Sequence, residues 1–133
     1  MQNRYDASLR EDDHVTKTVL LVEDDPHITE VVVFLLSEET PYHVLSATNA
    51  DDAITLMHNV TVHLFLFDYH VAGSMNGIAL HDFLHRIPRL EQVPVLLTSA
   101  VLPEQELVRR NILGIHKPFD LDVLLERIAL LIR

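Results

Sequence analysis

Two hydrophobic rhythms alternate along the chain. Short apolar runs at 18–23 (TVLLVE), 44–47, 62–67 (VHLFLF), 95–99 and 112–116 predict five β-strands. Three of these runs are nearly continuous, as expected for parallel strands covered on both faces. Between them, apolar positions recur at helical spacing. Asp25-Pro26 reads as an N-cap followed by proline at the first helical position, and the helix it opens carries Ile28, Val31, Val32, Leu35 and Leu36 on one side. Thr48 or Asn49 caps a second helix bearing Ala53, Ile54 and Met57. A third, at 77–86, aligns Ile78, Leu80, Phe83 and Leu84, with Ile87 just beyond. A short fourth helix is predicted at 103–110, and a fifth at 120–132 has a stripe of Leu121, Leu124, Leu125, Ile128, Leu131 and Ile132. Five β/α pairs joined by right-handed crossovers give an α/β fold, a five-stranded parallel sheet with helices on both faces. In such sheets the functional crevice lies outside the carboxyl ends of the strands.

Composition narrows the class. At 133 residues and 48% hydrophobic, the chain suits one domain with a sizeable core, here 18–133, preceded by a polar, aperiodic stretch at 1–17 expected to be a flexible tail. There is no cysteine, which excludes a disulfide framework, a thiolate zinc site and a cysteine nucleophile together. No apolar run reaches the roughly 18 residues of a membrane span. Residues 1–17 also lack the apolar stretch of a signal peptide. The expectation is a soluble cytoplasmic protein without a membrane partner.

Charge placement says more than the net charge of −10. From Thr18 to His85 there are ten Asp and Glu and no Lys or Arg. That segment repels nucleic acid phosphates and attracts cations. Most of these carboxylates suit a solvated surface; a few suit a metal site.

The predicted strand ends supply that site. The first ends in Glu23-Asp24-Asp25, the third in Asp68, the fourth in Thr98-Ser99-Ala100, and the fifth in His116-Lys117-Pro118-Phe119. Carboxylates brought this close repel unless a cation sits among them, and an all-oxygen donor set suits Mg²⁺. A lysine beside them can hold phosphoryl oxygens as a point charge. Lys117 is one of two lysines in the chain, the other being Lys17. The plainer alternative for it is an ordinary ion pair.

These segments, VLLVEDDP at 19–26, LFLFDYHVAG at 64–73, PVLLTSA at 94–100 and HKPFDLDVLLERI at 116–128, resemble the receiver domain (CheY-like) of bacterial two-component response regulators. The likeness covers about residues 18–132, and the 44-residue separation of Asp24 and Asp68 is similar to the family's usual value. It implies a flavodoxin-like fold and a phosphoprotein that is not an enzyme beyond its own phosphorylation and dephosphorylation. By resemblance, Asp68 is the phosphoacceptor. Glu23 and Asp24 hold Mg²⁺ with Asp68 and the backbone carbonyl of His70. Ser99 and Lys117 bind the phosphoryl group, with the Ala100 N–H beside them, and the bond before Pro118 is cis. The implied donor is a sensor histidine kinase or a histidine phosphotransfer protein. The effector is not identified, a homodimer stays open, and direct contact with nucleic acid is not expected. No output region is recognised, so output is expected through a partner or by onward phosphotransfer, or the chain is an excised domain.

Three features depart from the family pattern. Ala72 stands where proline is usual, and Gly77 comes one residue late, so an insertion falls around Gly73-Ser74-Met75 that should leave the acid pocket intact. Gly114 stands where an aromatic switch residue is usual, and none of its neighbours is Phe or Tyr. Ser99 and Lys117 are only 18 residues apart, so the fourth helix must be short or displaced. His81 and His85 have the i, i+4 spacing of zinc ligands but no evident third ligand, so a solvated helix face is the alternative. A phosphatase with an aspartate nucleophile needs a second Asp where His70 stands. A receiver-like interaction module with altered or absent phosphorylation-dependent output remains open.

Overall fold

The computed structural model describes residues 16–132. The tail expected at 1–17 therefore lies almost wholly outside the described residues. Five strands form one sheet in the order β2-β1-β3-β4-β5: β1 (Thr18–Val22), β2 (His43–Ala47), β3 (Leu64–Asp68), β4 (Val95–Ser99) and β5 (Leu113–His116). All four pairings are parallel. Five helices alternate with them: α1 (Pro26–Glu39), α2 (Ala50–Met57), α3 (Gly77–His85), α4 (Glu104–Arg110) and α5 (Leu121–Leu131). This is the doubly wound, flavodoxin-like arrangement expected from the alternating pattern.

Strand periodicity sorts the core into two layers. Leu20, Val22, Phe65, Phe67 and Leu97 face α2, α3 and α4 and pack with Ala53, Met57, Leu80, Leu84 and Leu107. Val19, Leu21, Leu64, Leu66 and Leu96 face α1 and α5 and pack with Val32, Leu36, Leu124 and Ile128. Neighbouring positions point to opposite faces, so a strand buried on both sides must be apolar throughout.

Caps set several boundaries. The Asp25 carboxylate accepts the His27 N–H at 2.8 Å and opens α1 with Pro26 in its first turn. Asn49 caps α2, accepting the Asp52 N–H at 2.8 Å. The strand predicted at 62–67 moves to Leu64–Asp68. Val62 precedes it, and His63 instead ties its N–H to the Thr18 carbonyl at 2.8 Å. At 112, the Ile112 N–H caps α4 by bonding the Leu107 carbonyl at 2.9 Å, past a left-handed Asn111 (φ 55°), so β5 starts at Leu113. The third helix stops at His85, and Pro88–Leu90 forms a 3-10 turn that the sequence pattern did not suggest. On α1, Val31 and Phe34 are exposed, so the buried stripe is narrower than predicted.

The fourth helix is indeed short, and it is anchored to α3. The Arg110 guanidinium forks onto Asp82 at 2.7 and 2.8 Å and reaches Glu106 at 2.7 Å. Asp82 also lies 2.9 Å from Nδ1 of His81, whose ring stacks on His85 at 4.1 Å. His85 Nε2 in turn lies 2.9 Å from the Val93 carbonyl oxygen. The pair His81 and His85 is therefore a partly buried part of this anchor, not a solvated helix face. Among the described residues neither belongs to a group of three metal-donor side chains.

Hydrogen bonding from Arg110 holds the Asp82 carboxyl well below the usual carboxylate range, against a smaller opposing effect of burial. A depressed folded-state pKa stabilises above the unfolded value, here 3.8, and loses that contribution as pH falls towards the folded value. Asp82 remains 40% exposed in its side chain, so screening limits the pair to about 1 kcal/mol. Asp82→Asn is expected to lower stability by about that amount at neutral pH in urea unfolding, with a difference from wild type that shrinks below pH 3.8. An unchanged midpoint at neutral pH would show that the fork does not anchor α4.

Candidate phosphoacceptor pocket

The strand order reverses direction between β1 and β3, so their carboxyl ends lie side by side at the switch point of the sheet. Val22 pairs with Phe67, Asp68 with Thr98, and Ser99 with His116. The residues just past these pairs must converge. Glu23 and Asp68 are buried there, at 2% and 7% exposure, whereas Asp24 is exposed. One carboxylate oxygen from each of the three lies within 4.8 Å of the other two. That group combines the acids expected from the strand ends.

Lys117 enters from the far side of the sheet. Its Nζ lies 3.0 Å from Glu23 Oε1 and 3.3 Å from Asp68 Oδ2. Its own N–H continues the ladder to the Ser99 carbonyl at 2.9 Å, which fixes where the side chain starts. The Lys117–Pro118 bond is cis, as the resemblance implied.

Burial raises the Glu23 pKa above its ordinary value, and the Asp68 charge pushes the same way. The hydrogen bonds from Lys117 and from the Asp25 N–H, at 3.1 Å, only partly offset this. Burial also works against the Lys117 ammonium, but its hydrogen bond to Glu23 and the two neighbouring negative charges outweigh that and raise its pKa. Lys117 is raised by the negative charge around it and Glu23 chiefly by its burial, and three carboxylates against one ammonium leave the pocket with unbalanced negative charge. An all-oxygen set with unbalanced negative charge fits a hard divalent cation such as Mg²⁺.

His70 is exposed, with its ring edge-on to Tyr69 at a centroid distance of 4.7 Å. Gly77 allows α3 to start against the end of β3, because a Cβ there would sit 3.0 Å from the Asp68 carbonyl oxygen and 3.1 Å from Tyr69 Cα. The insertion at 73–75 turns away from the acids. Ala72 bridges to Asn49, its carbonyl accepts the Ala50 N–H at 3.2 Å, and Ser74 Oγ donates to Asp51 at 3.0 Å.

Two arrangements were not visible in the sequence. The Ser99 hydroxyl is fully buried and faces its own loop, donating to the Val101 carbonyl at 2.8 Å. Beside the acids, a groove of about 510 Å³ runs between α1 and the β5–α5 loop, lined by Ile28, Val31, Ala100, Lys117, Phe119 and Leu121. The exposed apolar residues on α1 are its sequence signal: Phe34, 67% exposed, continues the helix face that carries Val31.

The comparisons with known proteins agree with this geometry. Residues 19–129 match the response regulator receiver domain. The chain is 31% identical over 119 residues to the regulatory protein VanRB of Enterococcus faecalis, covering 86% of this chain and 52% of that protein. It is 29% identical over 123 residues to the phosphate regulon transcriptional regulatory protein PhoB of Escherichia coli, covering 90% and 53%. The chain thus spans about half the length of these curated relatives. Among solved structures, the signal receiver domain of a signal transduction histidine kinase from Syntrophus aciditrophicus superposes with a TM-score of 0.78 at 26% identity, covering 88% of this chain and 90% of that one. The chemotaxis response regulator CheY4 of Vibrio cholerae shares the fold, with a TM-score of 0.79 at 21% identity over 88% and 99%. By sequence match across most of its length and by fold, the chain belongs to the receiver domain family of two-component response regulators.

Proposed function

We propose that the chain accepts a phosphoryl group on Asp68 from a phosphohistidine of a sensor histidine kinase or histidine phosphotransfer protein. The observation that carries this is the Lys117 ammonium, 3.0 Å from Glu23 and 3.3 Å from Asp68, within a pocket that keeps excess negative charge. An Asp68 oxygen attacks phosphorus while the phosphorus–nitrogen bond breaks, and the histidine leaves with its electron pair. Lys117 lies where it can neutralise charge on the transferring oxygens, so positioning and electrostatics supply most of the rate. Glu23, Asp24, Asp68 and the His70 carbonyl would hold Mg²⁺, which when bound supplies the remaining positive charge. Water later cleaves the acyl phosphate and resets the chain.

The donor needs a surface beside the acids. The apolar groove at α1 suits a helical segment of the partner, which would set its phosphohistidine over Asp68. The aspartyl phosphate then attracts the Ser99 hydroxyl and biases the surrounding loops between two packings. A second reading, a receiver-like module whose output ignores phosphate, draws on Gly114, which offers no side chain as a switch.

Incubation with acetyl phosphate and Mg²⁺ should add one phosphoryl group to the intact mass. The gain should vanish in Asp68→Asn and with a chelator. A folded wild-type chain that gains nothing would contradict the proposal and favour the second reading. Lys117→Ala should keep Mg²⁺ binding, read by calorimetry, yet slow phosphorylation on the order of a hundredfold. Wild-type phosphorylation and unchanged downstream structure in that variant would remove Lys117 from the transfer step.

A further inference from the structure

At Gly114, where the family usually carries a switch aromatic, the space is filled from another element. A Cβ at this position would lie 2.7 Å from Leu107 Cδ1 and 3.0 and 3.3 Å from the two methyls of Leu102. The two leucines belong to α4 and to the loop before it, and they close over a backbone that offers no side chain. Leu107 is buried, and Leu102 is partly buried against the same core layer.

The loop that carries Leu102 is latched by the Ser99 hydroxyl. Ser99 Oγ donates to the Val101 carbonyl at 2.8 Å and accepts the Val101 N–H at 3.2 Å. The next bond, from the Glu104 N–H to the Leu102 carbonyl at 2.9 Å, leads directly into α4. Ser99 is also the β4 residue whose carbonyl takes the Lys117 N–H, so the latch and the acid pocket share one residue.

A hydroxyl has one proton. While it bonds the Val101 carbonyl, it cannot donate to a phosphoryl group on Asp68. We propose that Leu102 replaces the missing aromatic as the side chain that reports phosphorylation. When the hydroxyl turns to the phosphoryl oxygens, the Val101 carbonyl loses its donor, the turn at 99–102 opens, and Leu102 leaves Gly114. Nothing at position 114 refills the space. The opening uncovers Leu107 beside Val101, Val108 and Leu113, which are already exposed, and so creates an apolar patch at the β5 edge. The arrangement differs from an aromatic switch in direction: a loop residue moves off the strand, and no strand residue turns inward.

This inference rests on Asp68 being the phosphoacceptor, so the test reads both together. The full chain is treated with acetyl phosphate and Mg²⁺. Intact mass reports the phosphoryl group, and backbone hydrogen exchange of peptides covering 100–116 reports the latch. Phosphorylated wild type should exchange at Val101, Glu104 and Ile112 on the order of tenfold faster than the unphosphorylated chain. Gly114→Ala should show that faster exchange without phosphate, because its methyl displaces the ends of two flexible leucine side chains. Leu102→Ala should do the same by removing the plug, and phosphorylation should add little further in either variant. Both variants should accept phosphate as wild type does. A phosphoryl gain with unchanged exchange at 100–116 would overturn the role of Leu102 and leave Asp68 standing. Wild-type protection in unphosphorylated Gly114→Ala and Leu102→Ala would also overturn it. Failure of the folded wild-type chain to gain a phosphoryl group would overturn the phosphoacceptor reading, and this inference with it.

Discussion

The ammonium of Lys117 lies between two buried carboxylates, and the rest of the domain is arranged around that shortage of positive charge. Glu23 and Asp68 come from adjacent strands whose order places their ends together, and Asp24 adds a third acid at the rim. Each carboxylate loses hydration on folding, and one lysine cannot compensate both. The raised pKa of Glu23 records chiefly that lost hydration, with the Asp68 charge adding to it. Well-packed apolar side chains in place of such buried charges are often neutral or stabilising. Charge kept in such a place is typical of a functional site, and the function proposed above gives it a divalent cation and a phosphoryl group as ligands.

Stability comes from elsewhere. Nearly continuous apolar strands place a packed layer on each face of the sheet, and both layers stop just short of the acids. The rigid platform holds the strand ends in register, so the acids and Lys117 meet without depending on long loops. Apart from Gly114 in β5, the parts that differ from the family pattern lie in a loop and in α4. The extra residues at 73–75 fold back onto the start of α2, and the shortened α4 is held by the Arg110–Asp82 fork and by two leucines over Gly114. Variation thus falls on a loop, a short helix and one residue of the edge strand β5, while the acids and Lys117 still meet.

Most of the architecture was legible in the sequence because each layer repeats a simple rule. Period-2 strands without a polar face, capped helices with apolar stripes, and acids at strand ends all translate directly into structure. Errors fell where one local interaction outweighed the pattern. Ile112 reads as strand by its side chain, but its N–H is needed to close α4. Val62 and His63 extend an apolar run, yet they precede the strand proper, with the His63 N–H held by the Thr18 carbonyl at the start of the neighbouring β1. His81 and His85 carry spacing information but no sign of Arg110, which lies 25 residues beyond His85 and reaches Asp82 only through tertiary packing. The orientation of the Ser99 hydroxyl is a rotamer choice, and the filling of Gly114 by Leu102 depends on where a short helix docks. Neither has a sequence signature of its own.

If unbalanced negative charge is the organising constraint, the thermal unfolding midpoint in metal-free buffer and with added Mg²⁺, measured for wild type and Asp68→Asn, tests it most directly. Removing one carboxylate leaves the Lys117–Glu23 pair in place, so metal-free Asp68→Asn should unfold roughly 3 °C higher than wild type. Mg²⁺ should raise the wild-type midpoint and raise that of the variant less. A metal-free variant that is less stable than wild type, together with a wild-type midpoint indifferent to Mg²⁺, would contradict the account.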